Sequence, residues 1–354
     1  MIFLYLFVAL CTVLVLHRMH RDLMVSFIGA VAGFVFAIIT FYGPMYWQAS
    51  DYEVLSGSVA KKQRVYDPYT ESYECGRDAS NNPIMCQRLV PRWRWDVISD
   101  INETFEEYTS QAVRAPEIYA RTMVGDPYAS TKRFLNFQNV SAQTVFMNRE
   151  AAESYVGWLP SYPQVFSGFK IVRAFSSTPI VDAQELGHLL ALAQKRWGPA
   201  HGVNVIVVAV REETDFNAFY NALLAKWNGG KKNDAILIIR VLKNGKIANT
   251  TTITRSADEL IDERGYNFTQ RLHMAVFDIG QYDPDKLIET IDSSLKLFKR
   301  EDLGRYDFLR DEYEPPFWLI GLSLAGIVLV IWLTVNKLCE GREWRRTKRR
   351  YKWN

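Results

Sequence analysis

Three stretches of the chain carry no charged residue: residues 1–16 (MIFLYLFVALCTVLVL), residues 23–47 (LMVSFIGAVAGFVFAIITFYGPMYW) and Phe317–Val335. At 1.5 Å per residue the last reaches about 30 Å, one hydrocarbon core. Trp318 and Trp332 lie near its ends, and Tyr42, Tyr46 and Trp47 close the second run, where amphipathic rings favour a membrane interface. The pattern predicts three spanning helices, over about 1–16, 23–47 and 317–336. A cleaved signal peptide is the alternative for the first. A basic n-region and a small-residue cleavage site are missing, and a second apolar run follows, which favours a retained helical hairpin over 1–47.

Between these ends the periods change. DYEVLSGSVAKKQRVY and RLVPRWRWDVI alternate and predict strands, with a hairpin-like excursion between them. Residues 101–165, punctuated by Pro116, Gly125-Asp126-Pro127 and Pro160, predict short helices and loops. From about residue 170 the pattern is regular. Ala183–Trp197 puts Leu186, Leu189, Leu190, Ala193 and Trp197 on one helical face, with Pro179 and Asp182 as start signals. VNVIVVAV (203–210) and AILIIRV (235–241) read as strands covered on both faces. Thr214–Trp227 is again helical, ended by Asn228-Gly229-Gly230. KIANTTTIT follows an Asn244-Gly245 turn as a hairpin partner, Asp258–Gly265 opens a helical piece, and Pro284–Phe298 closes the region as a helix. The predicted fold is a layered α/β sandwich around a mixed sheet, preceded by a β-rich, disulfide-containing region, plus three transmembrane helices. Its segments are a membrane hairpin (1–47), a β-rich region (48–165), an α/β domain (166–300), a linker (301–316), a span (317–336) and a basic tail (337–354).

Charge sets the orientation. Arg18 and Arg21 lie in the connector between the first two runs, and the tail holds eight Lys/Arg, among them Arg345, Arg346, Arg349 and Arg350, against Glu340 and Glu343. By the positive-inside rule both belong to the cytoplasmic side, leaving the N-terminus and residues 48–316 non-cytoplasmic. The net charge is +3; the tail contributes +6 and residues 1–22 contribute +1, so the region between them is −4. The basic pI belongs to an anchor that meets lipid headgroups, and no nucleic-acid partner is expected. Cys75 and Cys86 share the displayed region with Gly, Asn-Asn and Pro between them. Their spacing fits no zinc pattern, and an oxidising compartment would join them as a disulfide.

The succession VDAQELGHLLALAQKRWG…VNVIVVAV…FNAFYNALLAKW…KKNDAILIIRV…TRSADELID resembles the TPM domain over about residues 175–300. That family of compact α/β domains is tethered to a membrane and displayed in the periplasm, the thylakoid lumen or outside the cell. The resemblance implies assembly or accessory roles beside membrane proteins and, in some members, divalent-metal binding with weak phosphatase activity. On this chain the family's acidic positions fall on Asp234 and Asp262, as ligands for Ca or Mg. The glycine-rich approach to the second acid is absent from TRSADELID. Residues 51–97 faintly resemble uncharacterised membrane proteins of tailed bacteriophages, which would make the membrane a bacterial inner membrane and the displayed side periplasm.

No Walker loop, HExxH, EF-hand or nucleophile elbow occurs in the sequence. The expectation is a membrane-anchored, non-catalytic binding or scaffolding protein acting on an envelope or membrane protein, with an aromatic surface around Trp93 and Trp95. A divalent-metal-dependent phosphatase-like hydrolase using Asp234 and Asp262 is the alternative, with Asp258 and Glu263 as further acids.

Overall fold

Two helices are long and apolar enough to cross a membrane. The computed structural model describes residues 2–20, 23–140, 149–165, 169–256 and 259–350. Helix α1 spans Ile2–His20, α2 spans Leu23–Ala49, and a final helix spans Phe317–Arg350. Leu23–Ala49 and Phe317–Gly341 meet the length and hydropathy of a span, whereas the apolar part of α1, Phe3–Arg18, is shorter. The final helix runs on through the basic tail instead of stopping near residue 336; the side chains of Arg345, Arg346, Arg349 and Arg350, like Arg21, lie outside the described residues.

These helices form one compact unit, Met1–Asp51 with Phe134–Thr144 and Leu303–Asn354. Its core is a row of small residues on α2 facing branched ones on the final helix. Gly29, Gly33 and Ala37 recur every fourth residue, as do Ile327, Ile331 and Val335 opposite them. A Cβ at residue 33 would stand 2.4 Å from Ile331 Cδ1, and one at residue 29 would stand 2.8 Å from Val335 Cγ2. Where lipid removes the hydrophobic drive between helices, such close backbone approach is what holds them. Tyr5, Ala9 and Leu16 of α1 complete the core, while Phe27, Ile39 and Leu322 point outward, exposed. At the end of α2, Met45 and Ala49 pack against Phe137, Val140 and Tyr313. There the Asn136 N–H donates to Ala49 O (2.7 Å), and Gln48 donates to Asn139 O (3.0 Å).

The second unit, Tyr52–Arg133 with Val145–Asp302, contains both the β-rich and the α/β regions. Strand β1 (Ser50–Tyr66) pairs antiparallel with β4 (Trp93–Ser99) and β4 with β5 (Thr104–Thr109). Between β1 and β4, β2 (Tyr69–Arg77) and β3 (Pro83–Val90) form their own two-stranded hairpin. After α3 (Glu117–Arg121), β6 (Pro127–Leu135) completes a sheet of order β5-β4-β1-β6. The expectation of helices and loops over 101–165 is corrected here: β5 and β6 are strands. TFEEYT alternates, but Phe105 packs on the core while Glu106 and Tyr108 alternate with it through pairing to β4, so the local signal is weak without the partner.

The α/β region begins after a short helix, α4 (Arg149–Ser154). Strand β7 (Ala174–Ser176), helix α5 (Ala183–His201), strand β8 (Asn204–Arg211), helix α6 (Phe216–Lys226) and strands β9 (Asp234–Val241) and β10 (Ile247–Thr254) follow, then helices α7 (Phe268–Asp278) and α8 (Pro284–Ser294); the Phe317–Arg350 helix is α9. The sheet order is β10-β9-β8-β7, with β7, β8 and β9 parallel and β10 antiparallel. Alternate residues of β8 and β9 feed two cores. Val205, Val207, Leu237 and Ile239 meet α5, α7 and α8, and Ile206, Val208, Ile236 and Ile238 meet Phe219, Leu223 and Trp227. Each such side chain, fully buried, contributes about 1.5–3 kcal/mol. The helix expected to open over 258–265 begins instead at Phe268. Gly265 adopts φ 82, and Asn267 caps α7 in a reciprocal box with Gln270. Asp258 lies outside the described residues.

Gly33→Leu should force α2 and α9 apart, lowering the apparent unfolding temperature in detergent by the equivalent of about 1–3 kcal/mol. Fluorescence-detected melting of the full chain checks this; an unchanged midpoint would mean the helices do not pack through this row.

Candidate functional site

The turn Gly230–Asp234 is a junction. Asn228, Gly229 and Gly230 all take positive φ (52, 71 and 78) to reverse the chain after α6. Asp234 is fully buried at the start of β9. Its Oδ2 accepts from the Lys231 N–H (2.7 Å) and the Tyr162 hydroxyl (2.9 Å), and its Oδ1 accepts from Asn204 Nδ2 (2.8 Å). Burial pushes its pKa up, opposed by hydrogen bonds from Lys231, Asn204 and Tyr162. Beside it, Asn233 Nδ2 donates to Val54 O (2.7 Å) of β1 and Gly202 O (3.0 Å), tying the two sheets of this unit together. An ion pair between Arg300 and the buried Glu53 does the same.

Asp262 stands in its own turn, accepting from the N–H groups of Tyr266 and Arg264 (2.9 Å each). The Tyr266 N–H, then the Arg264 N–H and the charges of Arg271 and Arg264, hold its carboxyl below the usual range. The structure thus places Asp234 with Asn204 and Tyr162, and Asp262 with the backbone of its own turn. Among the described residues no three His, Cys, Asp or Glu side chains gather to hold a metal ion. Ca²⁺ or Mg²⁺ needs six or more oxygens, and those of Asp234 are committed to protein donors.

Cys75 and Cys86 are joined, with Cα atoms 5.6 Å apart, across the β2–β3 hairpin. The aromatic surface expected at Trp93 and Trp95 is corrected. Trp95 is buried, its Nε1–H donating to Thr109 Oγ1 (2.8 Å) and its ring against Tyr119. Trp93 lies under Arg64 and beside Tyr66. The exposed aromatic face belongs to the hairpin and its root instead. Tyr69 and Tyr73 alternate on one face of β2, with Arg92 over Tyr69 and Tyr108 (5.1 and 4.2 Å) and Arg88 over Tyr73 (5.3 Å). Ile84, Met85 and Leu89 are exposed on β3, Leu89 to 65 %. An isolated two-stranded hairpin is marginal in water, so the disulfide is what keeps this arm formed.

Sequence reasoning missed a cleft of about 680 Å³ between α5 and the β1–β6 side of the first sheet. Its geometry starts from close contact. Gly198 of α5 lies so near β1 that a Cβ there would stand 2.0 Å from Ser56 O. On one wall Phe169 holds φ 60, rare for a bulky residue, with its ring stacked on Tyr128 (4.4 Å) and its carbonyl accepting from the Ala129 N–H (3.0 Å). On another, Gln194 is buried, donating to Val203 O (2.5 Å) and accepting from the Val205 N–H (3.0 Å). Arg173, 3 % exposed, also lines the cleft.

No protein-family model, curated protein or solved structure matches this chain. What the site does must therefore be read from its own geometry.

Three outcomes follow. Asp234→Ala leaves three donors without an acceptor, and should lower stability by about 3 kcal/mol in a melting experiment on the full chain; a change near zero would mean the junction does not hold the fold. The pH dependence has opposite signs at the two acids. With its pKa raised, Asp234 makes the fold lose stability as pH rises from the ordinary carboxyl value of 3.8 through its own. With its pKa lowered, Asp262 adds stability above 3.8 that is lost as pH falls through its own. Reduction of Cys75–Cys86, measured by hydrogen exchange, should strip amide protection from residues 69–90 by the equivalent of about 3 kcal/mol while leaving β8 and β9 protected. Equal loss in β8 would show that the hairpin is part of the central core.

Proposed function

We propose that this chain is a membrane-anchored binding and scaffolding protein that presents its disulfide-stapled unit, on the non-cytoplasmic side of a bacterial inner membrane, to another envelope protein. The observation that carries the reading is the hairpin. It spends a disulfide on holding Tyr69, Tyr73, Ile84, Met85 and Leu89 exposed, although none of them serves a core. Aromatic and Met side chains flanked by Arg are the composition that protein interfaces favour. The two long apolar helices with outward Phe, Ile and Leu support the anchor. The packing of Tyr5, Ala9 and Leu16 into the same helical core supports α1 as a third span. A disulfide suits an oxidising compartment, and the basic residues of the connector and tail supply the cytoplasmic bias. The element order from α5 to α8 around a mixed sheet supports a TPM-type domain within the unit.

The test is site-specific photocrosslinking in cells at Tyr73 and Met85, beside Lys243 as a remote exposed control. A discrete protein adduct at the first two positions and not at Lys243 is expected. In the same cells a membrane-impermeant maleimide should label Ser80→Cys, and should label Lys348→Cys only after lysis. Equal adducts at all three crosslinking positions would remove the hairpin as a binding surface. Inverted labelling would overturn the orientation.

A further inference from the structure

Arg173 is a charge that the fold buries and, among the described residues, does not place in an ion pair. It precedes β7, and its carbonyl accepts from the Val207 N–H (2.8 Å), so its backbone is fixed by the central sheet. Among the described residues its one side-chain hydrogen bond runs from Nη2 to Ser56 Oγ (2.6 Å), and the buried Nε has no acceptor. Tyr162 and then Asp234 act on it through space only. Burial therefore wins, and pulls its pKa down to about 9. A guanidinium left so is costly unless an anion completes it.

The cleft supplies the room and the surroundings for one. Ser56, already bound to Nη2, has a hydroxyl proton to donate. Lys170 is exposed at the rim, and of the two rim acids Glu117 is paired with Arg121 while Asp126 accepts from the Met123 N–H (2.7 Å). Phe169, Tyr128 and Ile118 offer an apolar wall.

We propose that this cleft binds a small ligand with an oxyanion head, a carboxylate or a phosphate, seated on Arg173 and Ser56 with its apolar body against Phe169 and Tyr128. This goes beyond the tethered scaffolding role and does not rest on it. Loss of crosslinking at the hairpin with intact anion binding would sink only the former, and the reverse only the latter.

The experiment is calorimetric titration of the full chain in nanodiscs, at low ionic strength, with butyrate and separately with inorganic phosphate. Saturable one-to-one binding of at least one probe is expected, and which one saturates identifies the head group. Arg173→Met should weaken it by about tenfold or more, the loss of a charge-assisted contact. Should that variant misfold, the exposed Lys170→Glu and the hydroxyl deletion Ser56→Ala carry the test, each expected to weaken binding severalfold without unfolding. No saturation by either probe below roughly 10 mM overturns the proposal, as does binding unaltered in folded Arg173→Met, or in both Lys170→Glu and Ser56→Ala.

Discussion

The folded unit depends on how closely strand β1 lies against the α/β layer. At Ser56 the strand backbone touches α5 where residue 198 has no side chain, so no other residue fits that position without moving the strand. Two further ties fix the same approach: the Asn233 amide on Val54 O, and Arg300 on Glu53. A glycine alone permits contact without specifying it; the buried amide and ion pair specify it, because displacing the strand would strand polar groups away from water. The two sheets are consequently one cooperative body instead of two domains on a linker, and the cleft is the space left where they diverge beyond the contact.

How much of this the sequence discloses follows from the range of the interactions. Helices α5, α6 and α8 and strands β8 and β9 were legible because a period of 3.6, or an unbroken β-branched run, is written locally. The Cys75–Cys86 bridge was legible from spacing and turn residues. Strand β7, only Ala174–Ser176, exists because β8 offers it a parallel edge, and nothing in three residues announces that. The α7 start was misplaced because an acidic stretch, ADELIDE, imitates a first helical turn. The operative signal is the Asn267–Gln270 box, which begins two residues beyond Gly265. Trp95 looked like a surface residue because Arg94 and Asp96 flank it, yet those two pair with each other on the strand (2.8 Å) and leave the indole to the core.

The TPM resemblance implies Asp234 as a ligand, and the same turn carries architecture. Lys231, Asn204 and Tyr162 converge on one carboxylate from three separate segments, and its neighbour Asn233 reaches a fourth. A conspicuous acid after a Gly-Gly turn is compatible with either role. What the sequence does not display is the set of donors bound to its oxygens, which come from residues up to 72 positions away.

Asp234 and Arg173 then form an instructive contrast. Both are buried, both are charged at neutral pH in the open chain, and both have their ionised forms disfavoured by burial. The fold answers the first with three donors and the second with a single hydroxyl. An apolar side chain of similar volume at residue 173 would fill the space without the desolvation cost, and buried ion pairs are commonly replaced that way with no loss of stability. Packing therefore accounts for a large residue at this position and does not account for a guanidinium. A cation held rigidly by the sheet, opening on a cleft whose wall is itself a conformationally unusual Phe169, has the features of a binding group whose partner comes from solution.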